Sequence, residues 1–169
     1  MNSSEYVKPE GDTTDYETLQ VQAQAIVSGE PDLFANLANL SALLNEHLSD
    51  INWVGFYLTS PTDGDELVLG PFQGRVACVR IPFGKGVCGT AASSQTTQRV
   101  DDVHAFPGHI ACDAASNSEI VIPIVVDGKV VAVLDIDSPL TGRFDTGDQQ
   151  GLEALLPTLQ KLSWGRDGR

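Results

Sequence analysis

The feature that most limits the fold of this chain is the stretch SEIVIPIVVDGKVVAVLDIDSP, residues 118–139. It contains two runs of β-branched and aliphatic residues that are joined by Asp127-Gly128. An Asp-Gly pair between two such runs is a strong signal of a β-hairpin, because both residues accept the positive φ angles of a tight turn. The stretch therefore predicts two neighbouring antiparallel strands.

Two amphipathic helices are predicted before any strand. Apolar residues recur at three- and four-residue spacing over 15–27 and again over 32–48. Asp32, which follows Pro31, fits the N-cap of the second helix.

Three segments after these helices change to strand patterns. INWVGFYLTS, ELVLGPF and RVACVRI are separated by links that are too short for parallel crossovers, so they predict an antiparallel meander. A small-residue helix follows GKGVCG, and a short strand, TQRVDD, comes before a long loop over 101–117.

A closing helix is predicted after the hairpin. Its N-cap is expected at Asp145 or Thr146, and Pro157 is expected to kink it or to end its first part. The whole order indicates an α+β fold, a central antiparallel sheet of about six strands with helices packed on one face. The other face is then free for the loops around Cys88 and Cys112, and a pocket is expected there.

The chain is long enough, at 169 residues, for one domain with a real core. We expect a polar arm at 1–14, a single domain at 15–163 and a tail at 164–169. The net charge of −13 and the scattered Lys and Arg argue against binding to nucleic acid or to a membrane surface. No signal peptide is visible, and three cysteines are an odd number for a disulfide framework, so a cytoplasmic protein with reduced thiols is expected.

Three carboxylates are expected near one another in the hairpin. Asp135 and Asp137 are two residues apart and so project from one face of their strand. If the turn holds two residues, Glu119 lies opposite position 136, and a small register error places it beside Asp135 or Asp137. Such a cluster can bind an ammonium group, or its members can keep one carboxyl protonated as a proton donor. The alternative is a solvated, acidic strand end.

The cysteines Cys78, Cys88 and Cys112 have no C-x-x-C spacing. His104, His109, Cys112 and Cys88 are chemically suitable zinc ligands, but zinc is disfavoured because the H-x4-H-x2-C spacing matches no common zinc motif. Thiol redox chemistry fits better: a nucleophilic thiolate in a loop needs a second thiol within reach, which Cys78 or Cys88 could supply. Three buried, unreactive thiols are the alternative.

Two further segments suit a ligand. PFGKGVCG has glycines that allow close backbone approach, and the helix that starts there directs N–H groups at an anion. Taken alone, however, the segment is better explained as a flexible strand-to-helix turn. Trp53 and Tyr57 share one face of a strand and are either core residues or a wall for an apolar group.

Taken together, NWVGFYL, LVLGPFQGRVACVRIPFGKGVCGTAA, VDDVHAFPGHIACD, SEIVIPI and VLDIDSP resemble the free methionine-(R)-sulfoxide reductases, small enzymes of the GAF fold. The resemblance spans about residues 16–160 and includes all three cysteines in order. It implies reduction of the free R epimer of methionine sulfoxide, without a metal or an organic cofactor. It also implies a homodimer, and thioredoxin or a similar dithiol as the electron donor.

The resemblance also implies roles for individual residues. Cys112 would attack the substrate sulfur and form a sulfenic acid, and Cys78 or Cys88 would resolve it as a disulfide. The substrate would be held by carboxylates and by an aromatic wall: Glu119, Asp135 and Asp137, with Trp53 and Tyr57. Glu119 or Asp135 would donate the proton to the sulfoxide oxygen.

Two other functions compete with the reductase. One is a GAF sensor that binds a cyclic nucleotide or a tetrapyrrole, but the chain shows no output element, and a tetrapyrrole would use one cysteine only. The other is a redox-sensing module that cycles its thiols without turning over a substrate.

Overall fold

The computed structural model describes residues 14–109 and 115–165. A six-stranded antiparallel sheet has the order β3-β2-β1-β6-β5-β4. The strands are β1 Trp53–Thr59, β2 Glu66–Gly74, β3 Arg80–Pro82, β4 Gln98–Val100, β5 Ser118–Val126 and β6 Lys129–Ser138. The helices are α1 Tyr16–Val27, α2 Leu33–His47, α3 Gly86–Ser94, α4 Thr146–Glu153 and α5 Leu156–Gln160, with a 3-10 turn at Val103–Ala105. The α+β class and the six antiparallel strands are as predicted.

The helix ends follow the sequence signals. Asp15 and Asp32 cap α1 and α2 through their carboxylates. Asp145 caps α4 in a capping box with Asp148. The predicted closing helix is divided into α4 and α5, and Pro157 lies in the first turn of α5, where a missing N–H does no harm.

The sheet separates two apolar clusters. On one face α1, α2, α4 and α5 cover side chains such as Phe56, Leu134 and Ile136. On the other face α3 packs against Val121 and Val133, together with Trp53 and Tyr57. Because side chains alternate along β6, Asp135 and Asp137 point to the α3 face, away from the main helix layer.

A polar network joins the first helix to the last part of the chain. The Tyr16 hydroxyl donates to Asp148 Oδ1 at 2.6 Å, and Arg143 Nη1 donates to Asp148 Oδ2 at 3.2 Å. Arg143 Nε also donates to the Ser49 carbonyl oxygen. Burial and the Asp148 carboxylate raise the pKa of Tyr16, so its hydroxyl stays protonated and keeps donating.

The hairpin register differs by one residue from a simple two-residue hairpin. Asp127 and Gly128 have φ angles of 51° and 77°, as a type I′ turn requires. Val126 pairs with Lys129, but an irregularity next to Val125 shifts the later pairs by one residue. A bulge of this kind places two residues of one strand opposite one of the other. Glu119 consequently lies opposite Asp137, not opposite position 136.

The third predicted strand is shorter than expected. Only Arg80–Pro82 is strand, while 75–79 forms an irregular segment before it. Side chains of β1 bind this segment: Trp53 Nε1 donates to the Arg75 carbonyl oxygen at 3.1 Å, and the Tyr57 hydroxyl donates to that of Cys78 at 2.9 Å. Side-chain donors thus satisfy carbonyl groups that a regular strand would pair with backbone N–H groups. No helix of the described ranges is both long and apolar enough to cross a membrane.

Gly55 controls the approach of β1 to β2, and we predict that alanine there is destabilising. A Cβ at this position would lie against the Phe72 side chain, 2.7 Å from its Cα and 2.8 Å from the Pro71 carbonyl oxygen. Relieving such overlap requires movement of β2, so Gly55→Ala should lower the free energy of unfolding by about 1–3 kcal/mol. Urea denaturation measures this. Gly64→Ala is the matched control, since nothing lies within 4 Å of its added Cβ; equal urea midpoints for the two variants would contradict the prediction.

Candidate active site

A pocket lies on the α3 face of the sheet. Its walls come from β1, from the irregular segment before β3, from the start of α3, and from the acidic ends of β5 and β6. The lining residues are Trp53, Tyr57, Val76, Ala77, Ile81, Lys85, Gly86, Val87, Cys88, His109, Ser116, Glu119, Asp135 and Asp137. The structure therefore brings together all the sequence-predicted site residues that it describes except Cys78, which lies in the segment forming one wall. Cys112 is outside the described residues.

The three carboxylates are buried and close to one another. Glu119 pairs with Asp137 across the hairpin, and Asp135 is two residues away on the same face of β6. Each has at most 9% of its surface exposed. The interpretation as a solvated strand end is therefore wrong.

Burial raises the pKa of Glu119 well above its ordinary value, and the charges of Asp135 and Asp137 raise it further. Burial also raises the pKa of Asp135, but hydrogen bonds from Glu119, Cys88 and Asp137 oppose that rise. The Glu119–Asp135 hydrogen bond thus favours the proton on Glu119 and the charge on Asp135. Glu119 is the better candidate for a protonated carboxyl group at neutral pH.

The two described cysteines, Cys78 and Cys88, differ in oxidation state. Cys88 is a free, buried thiol in α3, and its Sγ lies 3.9 Å from Glu119 Oε2, to which it donates. Burial raises the pKa of this thiol well above its ordinary value, and the charges of Asp135, Glu119 and Asp137 add to the rise. Cys88 is therefore a neutral thiol and a weak nucleophile. Cys78, in contrast, is disulfide-bonded.

Trp53 and Tyr57 belong to the apolar core and also form one wall of the pocket. Trp53 stacks on Tyr57 with ring centroids 5.8 Å apart, and on Phe72 at 5.0 Å. The two expectations for this pair, core packing and a ligand wall, are thus compatible. Burial, followed by the charge of Asp135, raises the pKa of Tyr57, so its hydroxyl remains a donor to the Cys78 carbonyl oxygen.

The start of α3 faces the same pocket. Gly84 and Gly86 have φ angles of 84° and 63°, which bend the chain tightly around Lys85, the N-cap residue. The first N–H groups of an α-helix lack acceptors within the helix and carry a partial positive charge. The beginning of α3, with Lys85 beside it, can therefore hold an anionic group at the edge of the acidic pocket.

Sequence reasoning missed three polar residues of the pocket as ligand-binding candidates. Ser116 accepts a hydrogen bond from Asn52 Nδ2 at 3.2 Å, and Lys85 and His109 lie in the wall. His109 was considered only as a zinc ligand; its ring centroid lies 5.9 Å from that of His104, and burial lowers its pKa. Nothing in the local spacing of these residues indicated that they meet in one pocket.

Among the described residues, one group could hold a metal ion. It consists of Cys88, Glu119 and Asp135, whose donor atoms all lie within 4.8 Å of one another. It does not include His104 or His109.

Comparison with known proteins identifies the family. The model of the GAF domain family matches residues 35–160. The free methionine-R-sulfoxide reductase of Escherichia coli (strain K12) is 57% identical over 147 residues, which are 87% of this chain and 87% of that protein. The solved structure of the fRMsr of Staphylococcus aureus in its reduced form superposes with a TM-score of 0.84 at 55% identity, over 89% of this chain and 96% of that one. The free methionine-R-sulfoxide reductase from Neisseria meningitidis, solved in complex with its substrate, superposes with a TM-score of 0.83 at 48% identity over 86% of each chain.

The chain belongs to the GAF-domain free methionine-R-sulfoxide reductase family. The resemblance carried by the cysteine-bearing motifs is thereby confirmed, and the antiparallel sheet is that of a GAF fold. Family membership also makes the chain an oxidoreductase.

We predict that Glu119→Gln becomes increasingly stabilising, relative to the parent protein, as pH rises above 4.5. The unfolded chain loses the Glu119 proton near the ordinary pKa of 4.5, while the folded state keeps it to higher pH. The folded state then binds more protons, so the parent protein loses stability with rising pH until the folded pKa is passed. Glutamine removes this loss, and the stability difference should grow by up to about 1.4 kcal/mol per pH unit in that window.

Urea denaturation at a series of pH values tests this prediction. Glu46→Gln, at an exposed position of α2, is the control and should show no such trend. A pH-independent difference between Glu119→Gln and the parent would mean that Glu119 is ionised in the folded protein.

Proposed function

We propose that this protein reduces free L-methionine-(R)-sulfoxide to methionine. The observation that carries the proposal is the buried acidic pocket, in which a carboxyl group of raised pKa lies beside an aromatic wall and a segment that contains a disulfide-bonded cysteine. Similar proteins are named for this activity, and one of them was solved with its substrate.

Each part of the substrate has a complementary part of the pocket. The negative charge of Asp135 and Asp137 suits the ammonium group, and the start of α3 with Lys85 suits the carboxylate. Trp53 and Tyr57 offer an apolar surface to the methyl group and the aliphatic stem. Glu119 is then the remaining group that can interact with the sulfoxide oxygen.

Glu119 supplies the proton that the sulfoxide oxygen needs. In the proposed reaction, the Cys112 sulfur attacks the sulfur of the protonated sulfoxide. The sulfoxide oxygen is transferred to the cysteine, and methionine leaves. Cys112 is then a sulfenic acid. A second thiol condenses with it, forming a disulfide and releasing water.

The resolving residue is Cys78 in this proposal. Cys78 is disulfide-bonded, whereas Cys88 is a free thiol whose raised pKa makes it a poor nucleophile. In the proposed reaction Cys78 forms this disulfide with Cys112, the third cysteine of the chain. A dithiol donor of the thioredoxin type reduces this disulfide by exchange, in the cytoplasm, and the protein acts as a homodimer.

The first experiment measures NADPH consumption coupled through thioredoxin reductase and thioredoxin. Free L-methionine-(R)-sulfoxide should be reduced, while the free S epimer and a protein-bound sulfoxide should not. Cys112→Ser should abolish the reaction. Cys78→Ser should form one methionine per protein molecule and then stop, because its sulfenic acid is not resolved, whereas Cys88→Ser should continue to cycle.

Continued cycling of Cys78→Ser together with loss of cycling in Cys88→Ser would assign the resolving role to Cys88 instead. Absence of turnover with all three sulfoxides would favour a ligand-binding GAF sensor or a redox-sensing module.

The reductant contact is proposed on the segment around Cys78. Val76 and Val79, two residues before and one residue after this cysteine, are 89% and 61% exposed. The hydrogen bonds from Trp53 and Tyr57 hold the Arg75 and Cys78 carbonyl groups, one on either side of Val76. An apolar surface next to a disulfide suits the apolar rim of a thioredoxin-like active site.

We predict that Val79→Ser weakens the use of thioredoxin but leaves turnover with dithiothreitol unchanged. Losing the burial of one valine in a protein contact costs about 1 kcal/mol, so the KM for thioredoxin should rise about fivefold. Val21→Ser, at a 66% exposed position of α1, is the control. Equal KM values for thioredoxin in both variants would place the reductant contact elsewhere.

A further inference from the structure

The donor atoms of Cys88, Glu119 and Asp135 form a compact triad. One sulfur and two carboxylate oxygens lie within 4.8 Å of one another, and the Cys88 Sγ to Glu119 Oε2 distance is 3.9 Å. The residues belong to α3, β5 and β6, so they come from regular elements and not from a single loop. All three are buried.

We propose that this triad binds a thiophilic divalent cation, Zn²⁺ or Cd²⁺, in the space where the substrate's ammonium group would lie. Binding of the cation stands independently of the proposed reductase function. Its consequence, competition with the substrate, rests on that function. The triad is therefore both part of the reaction site and a site of metal inhibition.

Asp135 gives the strongest indication that a cation fits. Only 5% of this residue is exposed, and its buried Oδ1 makes no hydrogen bond of good geometry within the part of the chain that the structure describes, although Glu119, Cys88 and Asp137 lie close enough to lower the pKa of the carboxyl group. A buried carboxylate oxygen without a donor is unfavourable, and a cation satisfies it directly. The two salt bridges of the described ranges, Arg80–Glu66 and Arg143–Asp148, involve no member of the triad.

The spacing suits a small tetrahedral ion after minor side-chain rotation. Zinc binds thiolate at about 2.3 Å and carboxylate oxygen at about 2.0–2.2 Å, which puts neighbouring sulfur and oxygen ligands about 3.5 Å apart. The observed sulfur–oxygen distance exceeds this by a few tenths of an ångström. Because the three residues line a pocket, a water molecule can supply the fourth ligand.

The mixed donor set also selects the class of ion. Cation binding displaces the protons of Cys88 and Glu119 to the solvent. The resulting thiolate favours Zn²⁺ and Cd²⁺, while Mg²⁺ and Ca²⁺ require more oxygen ligands than the triad offers. Neither Mg²⁺ nor Ca²⁺ should bind here.

The binding experiment uses the double variant Cys78→Ser/Cys112→Ser, in which Cys88 is the one remaining cysteine. Calorimetric titration with Zn²⁺, without added thiol, should show one ion per chain, and Co²⁺ should give a sulfur-to-metal charge-transfer band. Adding Cys88→Ser should remove the band and weaken Zn²⁺ binding at least tenfold. Glu119→Gln, which retains the shape of the side chain, should weaken it similarly. Asp65→Asn, at an exposed position, is the control and should leave it unchanged.

Zn²⁺ affinity that is unaffected by both Cys88→Ser and Glu119→Gln would show an adventitious ion only and overturn the proposal. Three other results would overturn the proposal: no Zn²⁺ binding, an affinity for Mg²⁺ equal to that for Zn²⁺, or Zn²⁺ binding to the parent protein but not to the double variant. These readouts need no turnover, so they separate this proposal from the proposed reaction. If the reaction is confirmed, Zn²⁺ should raise the KM for the sulfoxide without changing kcat; an unchanged KM would overturn the competition.

Discussion

The pairing of β5 with β6 determines the rest of the site. The bulge after the Asp127-Gly128 turn moves the register by one residue, and this shift places Glu119 opposite Asp137. Without the shift, Glu119 would lie opposite Ile136, whose side chain belongs to the helix-covered face. One extra residue in a strand therefore decides whether three carboxyl groups meet on the pocket side of the sheet.

Bringing these carboxyl groups together opposes folding. Each is buried, and mutual repulsion adds to the cost of removing it from water. The apolar clusters on both faces of the sheet stabilise the arrangement, and protonation of Glu119 reduces the local negative charge. A cationic ligand group relieves the same repulsion. The carboxyl groups that destabilise the unliganded protein therefore favour binding of an ammonium group or a metal ion.

Much of the fold could be predicted because its signals are local. The Asp-Gly turn, the Asp32 cap and the helix break near Pro157 each depend on a few adjacent residues. The register shift, the irregular course of 75–79 and the presence of His109 and Ser116 in the pocket depend on contacts between distant segments. The identity of the carboxylates followed from alternation along β6 and from the pairing of the hairpin strands, but their burial and the different states of Cys78 and Cys88 required the packed structure. The proposed metal-binding triad, whose members come from three separate elements, likewise has no spacing that a sequence could reveal.

The two hydrogen bonds that β1 makes to the segment before β3 have a mechanical consequence. The Cys78 carbonyl oxygen is held by Tyr57, and the Arg75 carbonyl oxygen is held by the indole of Trp53, so the sulfur-bearing segment and the aromatic wall form one linked body. If Cys78 moves, as the proposed reaction would require, it must break these bonds or move the rings with it. The indole of Trp53 is therefore coupled through the backbone of this segment to Cys78, so a movement of Cys78 would change the surroundings of the indole.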